Sequence, residues 1–493
     1  MDFKDVKLEK TNIILNKQSP SKSDFNESLF QEHAHLSIYD LSFKLRESWD
    51  NKNADDIIFA LQQIKGCCKV PNDLVSSETF FPIIFPILIF SLNCDEYKGL
   101  ENFPYIAVQA ESISILKGIS SIVGLKPDLL KQTLVNIYSL LFDSDNFRPE
   151  YMQIFEQCFS ILTTFVNRGG FYADTTAEHL YVSRFLNFLG SISSSPLKHA
   201  AVIFISSFKS LELIKNSQRA SLMAEIIQNS DFIDLDRLIL FNWFFKCVPN
   251  PYSYFNPENY LSFLHVKISD KIENESDQPM INKCKSLSID NLVLLINHLN
   301  SFINFDYPII FLNCLPGENH KLIDENIFLS SLKCMVAVAS FRDDGLPFLL
   351  SNIDIRTVLY GVFNDGHTLI TKKTGLLLIN KIIGNDSHSR ELALQILNDG
   401  LMISIINFLE IDDDESLIKD VFNCFDIIIG DYNNHDEICQ RFFKIFENND
   451  GWKLVDDLSY NESIAIHNCA LKFVQSYSNE ILQFSDDDEW PQN

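Results

Sequence analysis

From about residue 37 to about residue 480 the chain repeats one kind of segment, and this repetition limits its fold more than any other feature. Amphipathic stretches of about 10 to 15 residues, apolar at i, i+3, i+4 and i+7, alternate with short polar or Gly/Pro/Asn breaks. "ADDIIFALQQIKGCC", "AESISILKGISSIVG", "EQCFSILTTFVN", "SIDNLVLLINHLNSFI" and "LSSLKCMVAVASF" all read this way. No period-2 alternation interrupts them. With only 16 Gly and 16 Pro in 493 residues, the turns of an all-β protein of this length are missing. Short helices joined by short loops, with no shift of composition, predict an all-α solenoid in which each unit buries its apolar face on the next. At about 42 residues per unit, the body holds about ten repeats.

Three regions follow. Residues 1–36 are polar, contain "SPSKSD" and read as a flexible arm, residues 37–480 are the solenoid, and residues 481–493 form an acidic tail. "VPNPYSYFNPEN", from Val248 to Asn259, breaks the helical period and reads as an extended loop between repeats. The most hydrophobic run, "FFPIIFPILIFSL", is too short to span a bilayer and reads as buried helix joined to a turn.

The formal net charge of −26 repels nucleic acid and anionic membrane and favours basic polypeptide partners, although acidity also serves solubility alone. Eleven scattered cysteines without a C-x-x-C, and no secretory-leader pattern in "MDFKDVKLEK", point to a reduced intracellular chain whose cysteines fill the core. The nucleotide-binding, zinc-hydrolase and serine-hydrolase motifs are absent, so neither catalysis nor a cofactor is expected. "EIDDDES", Glu410 to Ser416, lacks the glycine and the terminal glutamate spacing of a calcium loop and reads as a solvated turn. Trp49 and Asn53, the one literal W-x-x-x-N, read as coincidence or a helix-start contact.

The segment "GWKLVDDLSYNESIAIHNCALKFVQSY", Gly451 to Tyr477, resembles the last armadillo repeat of importin-α, with a glycine-led helix, a polar turn and a second helix. "ESWDNKNADDIIFALQQIKGCCKVPNDLV" resembles the opening of that family's first repeat, and "ENFPYIAVQAESISILKGISSIVG" its phenylalanine-proline turn and third helix. "TKKTGLLLINKIIGN", residues 371–385, matches the place where the antepenultimate repeat carries a lysine pair into its inner helix. The match covers most of residues 45–480 and is poor from about 190 to 330.

The resemblance implies a right-handed superhelical armadillo solenoid that binds basic protein or peptide cargo for nuclear import, in cytoplasm and nucleus, with importin-β and the export receptor as further partners. In that family, Trp/Asn pairs four residues apart on the inner helices hold lysine stems by cation–π contact and clamp the peptide backbone. Here the corresponding positions are Ser114 and Gly118, Ser160 and Thr164, and Leu377 and Lys381, and no pair keeps either residue. Asn380 lies one position off, about 100° around the helix. Each lost indole removes about 0.5 to 2 kcal/mol of cation–π attraction. The arm offers Lys4, Lys7, Lys10, Lys17 and Lys22 but no arginine, short of the family's basic importin-β-binding clusters. By the same resemblance, Glu462 and Asp486, Asp487, Asp488 and Glu489 are candidates for contact with the export receptor. The alternative is an armadillo scaffold that has lost signal reading and binds another protein.

Overall fold

The computed structural model describes residues 38–67, 80–93, 103–122, 124–142, 148–209, 216–228, 232–270, 275–315, 324–364, 367–384, 397–429 and 437–484. The arm lies outside these residues, as does the tail from residue 485 on, whereas 481–484 belong to the last helix. Every regular element among them is helical. The chain divides into two compact units, Met1–Asn136 and Ile137–Asn493.

In the first unit, α1 (Ile38–Asp50) and α2 (Ala54–Cys67) form an antiparallel pair, followed by a π-helical turn at Phe80–Ile84, α3 (Phe85–Ser91) and α4 (Tyr105–Ile122). Asn53 heads α2, its Nδ2 donating to Asp56 at 2.7 Å, while Trp49, in α1, meets Phe90 edge-on. The proline-rich apolar run is helical throughout, with Phe85, Leu88 and Ile89 buried. Helix α4 packs on α2, where Lys65 reaches Glu111 at 3.0 Å. Helix α5 (Pro127–Phe142) crosses into the second unit.

The second unit continues with α6 (Met152–Arg168), α7 (Gly170–His179), α8 (Val182–Ser191), α9 (Ser195–Ser206), α10 (Ser217–Gln228) and α11 (Asp234–Cys247). Next come α12 (Pro257–Ser269), α13 (Gln278–Leu299), α14 (Pro308–Phe311), α15 (Glu325–Ala339), α16 (Gly345–Asn352), α17 (Ile355–Asn364) and α18 (Leu369–Ile383). The last are α19 (Asp399–Ile406), α20 (Glu415–Ile429), α21 (Glu437–Asn448), α22 (Gly451–Leu458) and α23 (Ile464–Phe484). Eight of these, α6, α9, α11, α13, α15, α18, α20 and α23, pack each on the next as a ladder. They begin at residues 152, 195, 234, 278, 325, 369, 415 and 464, a spacing of about 40 to 50 residues. The other helices cover the far side, as α12 does on α13, α17 on α18 and α22 on α23. With α2 and α4 in the first unit, the expected ten or so repeats are accounted for among the described residues.

Local sequence explains these elements. Helix α6 buries Ile154, Phe155, Cys158, Phe159, Ile161, Leu162, Phe165 and Val166, a stripe at helical period, and each phenylalanine withdrawn from water contributes about 1.5 to 3 kcal/mol. Asp324 caps α15 through Asn326 N at 2.9 Å, and Thr368 caps α18 through Thr371 N at 3.4 Å. Gly375 lets α17 and α18 approach closely, because a Cβ there would lie 2.6 Å from Val362 Cγ1.

Side chains tie successive ladder helices at carbonyls that helix geometry leaves partly uncovered. Trp243 Nε1 donates to Phe208 O (2.9 Å), Asn291 Nδ2 to Leu238 O (3.0 Å), His298 Nε2 to Phe245 O (2.7 Å) and Asn380 Nδ2 to Asp420 O (2.9 Å). Such bonds fix the stagger of one repeat on the next, which apolar contact alone leaves free to slide.

The stretch from Val248 to Asn259 differs from the expected extended loop. Asn250 turns the chain in the left-handed region (φ 52°), a 3₁₀ turn follows at Pro251–Tyr254, and Pro257 already opens α12. Its aromatics stabilise this compactness by packing: Phe255 sits 4.9 Å from the Phe241 ring and Tyr254 6.0 Å from the Phe244 ring. Proline and asparagine broke the helical period in the sequence, but the ring contacts were invisible there.

Candidate functional site

Ladder helices such as α6 and α18 keep a stripe exposed opposite the face they bury, and so does α4 in the first unit. On α4 the stripe includes half-exposed Ser114 and Gly118, and on α6 it includes half-exposed Ser160 and Thr164. On α18 it is Ile370, Thr374, Leu377 and Lys381, with Leu377 37% exposed. All three sequence-mapped pairs therefore lie on exposed stripes at i, i+4 spacing. None builds an aromatic slot, and Thr164 turns its hydroxyl back to Ser160 O at 2.9 Å.

The stripe chemistry is consistent along the second unit. Every described Phe, Tyr and Trp on the eight ladder helices is buried except Tyr477, which is half-buried and donates to Asp426 at 3.2 Å. Hydroxyls, amides, aliphatic groups and lysines remain, together with carboxylates such as Asp290, Asp420 and Asp426. Asn380, one position off the mapped pair, is 9% exposed and committed to Asp420 O, so it joins repeats rather than facing outward.

Two cavities open on this face. The first, of about 360 Å³, is lined by Ser340, Leu377, Asn380, Lys381, Asp420 and Asn423 from α15, α18 and α20, together with Arg342 and Gly384. Gly384 (φ +52°) ends α18 and makes room for Arg342, whose Nη2 would lie 1.4 Å from a Cβ at that position. Arg342 Nη1 donates to Ile382 O at 2.9 Å, which seats the guanidinium at the helix end. Burial, opposed by Lys381, raises the Asp420 carboxyl above the usual carboxylate range. The second cavity, of about 370 Å³, is lined by Ser206, Ser207, Lys209, Asn242, Trp243 and Lys246 near the ends of α9 and α11. Its residues escaped the sequence reading. Asn242 and Lys246 share a helix face at i, i+4, but they fall between residues 190 and 330, where no resemblance guided the eye.

Other polar groups brace the stack. His199 Nδ1 meets the buried carboxylate of Asp236 at 2.6 Å, joining α9 to α11. Lys373, one of the lysine pair at the head of α18, pairs with Asp414, which caps α20 through Leu417 N at 3.0 Å. The acidic turn at residues 410–416 is thus a capped junction between helices. Glu462 is exposed in the turn before α23, flanked by Asn461, which donates to Asp412 O, and Ser463, which donates to Glu415. Asp486, Asp487, Asp488 and Glu489 lie outside the described residues. Among the described residues no three His, Cys, Asp or Glu side chains gather as a metal site, and no single helix is long and apolar enough to cross a membrane.

Comparison with solved structures bears on this architecture. An engineered protein aligns over 89% of this chain and 98% of its own, at 9% identity and a TM-score of 0.55. The fold is all-α, with ladder helices stacked as a helical solenoid in the second unit. SYS-1 aligns at 12% identity and a TM-score of 0.49, over 89% of this chain and 80% of its own. A chain from the structure describing a phosphorylation switch in the cadherin–β-catenin interaction aligns at 10% identity and 0.47, over 90% and 99%. No family model and no curated protein matches the sequence. At these identities the likeness is one of fold.

Proposed function

We propose that this chain is a non-enzymatic helical-repeat scaffold that holds an extended segment of a partner protein along the ladder face of its second unit. The observation that carries the reading is the face itself: on eight stacked helices, hydroxyls, amides, lysines and a few carboxylates stay exposed beside two open cavities, while all their described aromatics but Tyr477 are buried. Hydroxyls and amides suit main-chain hydrogen bonding to an extended peptide. Selection of binders from a random peptide library, followed by hydrogen-exchange footprinting on the full chain, tests it. Protection confined to α11, α13, α15, α18 and α20 is expected, and selected peptides that footprint only elsewhere would refute the reading.

A narrower reading is an importin-α-like adaptor working between cytoplasm and nucleus, with basic cargo, importin-β and the export receptor as partners. Gly451 to Tyr477 and the opening repeats favour it by their sequence match, whereas the missing Trp/Asn pairs weigh against it. A lysine-rich signal peptide is expected to bind weakly and to lose affinity steeply with salt, because only the long-range field of the −26 charge attracts it. Ser114→Trp with Gly118→Asn, and Ser160→Trp with Thr164→Asn, should add salt-resistant affinity. Tight, salt-resistant binding by the unaltered chain would favour the adaptor over the scaffold.

A further inference from the structure

The cavity on α15, α18 and α20 has a charge opposite to that of the molecule. In a chain of net charge −26, its lining holds Arg342 and Lys381 against the single carboxylate of Asp420. Lys381 is exposed and makes no ion pair among the described residues, while Arg342 is anchored over Gly384 by its bond to Ile382 O. Asn380 also lines this cavity. Its Nδ2 must be the atom facing Asp420 O, since a carbonyl only accepts, and this leaves Oδ1 shielded from water without a partner.

The α9/α11 cavity repeats the construction. It is lined by Lys209 and Lys246 with the amide of Asn242 and two serine hydroxyls, and no carboxylate. Lysine in the last turn of a helix also complements the helix dipole, as Lys246 and Lys381 do. The dipole explains those positions but not a cavity beside each.

We propose that the two cavities are subsites for acidic side chains of one extended partner peptide, with carboxylates received by Lys381 and Arg342 in one and by Lys246 and Lys209 in the other. The inference rests on the scaffold reading and specifies its ligand. From α11 to α18 is three ladder steps of about 8 to 10 Å, which an extended chain at about 3.3 Å per residue spans with roughly eight residues. Two acidic positions about eight residues apart therefore satisfy both. A lysine-rich segment meets cations at both points.

The probes are three labelled twelve-residue peptides of one neutral sequence carrying, eight residues apart, two glutamates, two glutamines or two lysines. Fluorescence anisotropy with the full chain is read at two salt concentrations, and hydrogen exchange locates each peptide. The glutamate peptide is expected to bind best, to protect α11 and α18, and to weaken about tenfold with either Lys381→Glu or Lys246→Glu. Both lysines are on the surface, so unchanged thermal unfolding of the variants excludes misfolding as the cause. Equal binding of the glutamate and glutamine peptides at the same helices overturns the acid subsites and leaves the scaffold standing. Tighter binding of the lysine peptide, strengthened by Lys381→Glu, reverses the proposal. Absence of protection on the ladder face by all three overturns the proposal and counts against the scaffold.

Discussion

Glu325 is the residue whose replacement tests most directly how successive repeats are joined. As the first residue of α15 it accepts from His367 Nδ1 at 2.6 Å, Thr371 Oγ1 at 2.6 Å, Thr368 Oγ1 at 2.9 Å and Thr368 N at 3.1 Å, all at the head of α18. Burial, the largest influence on its carboxyl, disfavours the charge. The bonds from Thr371, His367 and Thr368 together outweigh it and hold the pKa at about 2, against 4.5 ordinarily. Removing the carboxylate leaves Thr371, fully buried, and His367, 9% exposed, without their acceptor. The full shift corresponds to about 3 kcal/mol, but the Glu325 side chain is 35% exposed and solvent screening reduces this to roughly 1 to 2 kcal/mol.

The sign follows from the direction of the shift. A depressed folded-state pKa contributes stability that is complete above the unfolded value of 4.5 and disappears as pH falls toward 2. Glu325→Gln keeps the shape and removes the titration. Urea unfolding of both proteins at pH 7 and at pH 3 cancels the other carboxylates in the difference, and hydrogen exchange over residues 367–383 reports local opening where unfolding is not two-state. The parent chain should exceed the variant by about 1 to 2 kcal/mol at pH 7 and by clearly less at pH 3. A difference that is the same at both pH values, or larger in acid, refutes the electrostatic argument.

Gly375→Val places side-chain atoms where a Cβ already comes within 2.6 Å of Val362, so a loss of about 1 to 3 kcal/mol by overpacking is expected in urea unfolding. An unchanged midpoint would mean that α17 and α18 separate freely. Burial pushes the thiols of Cys158, Cys314 and Cys334 far above their ordinary value and that of Cys424 to about 12. Iodoacetamide at pH 8 should leave these four unlabelled in the native protein by mass spectrometry and label them once urea unfolds it. Tyr477→Phe removes a half-exposed hydrogen bond to Asp426 and should cost under about 1 kcal/mol, whereas Phe473→Ala, in the ring cluster between α20, α21 and α22, should cost about 3 to 5 kcal/mol.

Helix, repeat and exposed stripe were legible because each depends on residues close in sequence. The apolar spacing of "EQCFSILTTFVN" defines both the buried side of α6 and, by exclusion, the outward side that carries Ser160 and Thr164. Leu377 and Lys381 were assigned to the groove by the family resemblance instead, and both are exposed on α18, which ends at Gly384. Asn380 was the limit of that logic, since its angular position was readable but its bond to Asp420 O, 40 residues away, was not.

What the sequence by itself determined is the class of the molecule: its helices, their period and the absence of an indole ladder, because 3.6-residue geometry and residue identity need no knowledge of neighbours. Only the tertiary structure decided where the functional surface has depth and charge. Arg342 with Lys381 and Asp420, or Lys209 with Lys246, lie far apart along the chain and share a cavity because repeats of about 40 to 50 residues stack at a stagger set by side chains bonded to the carbonyls of the adjoining repeat.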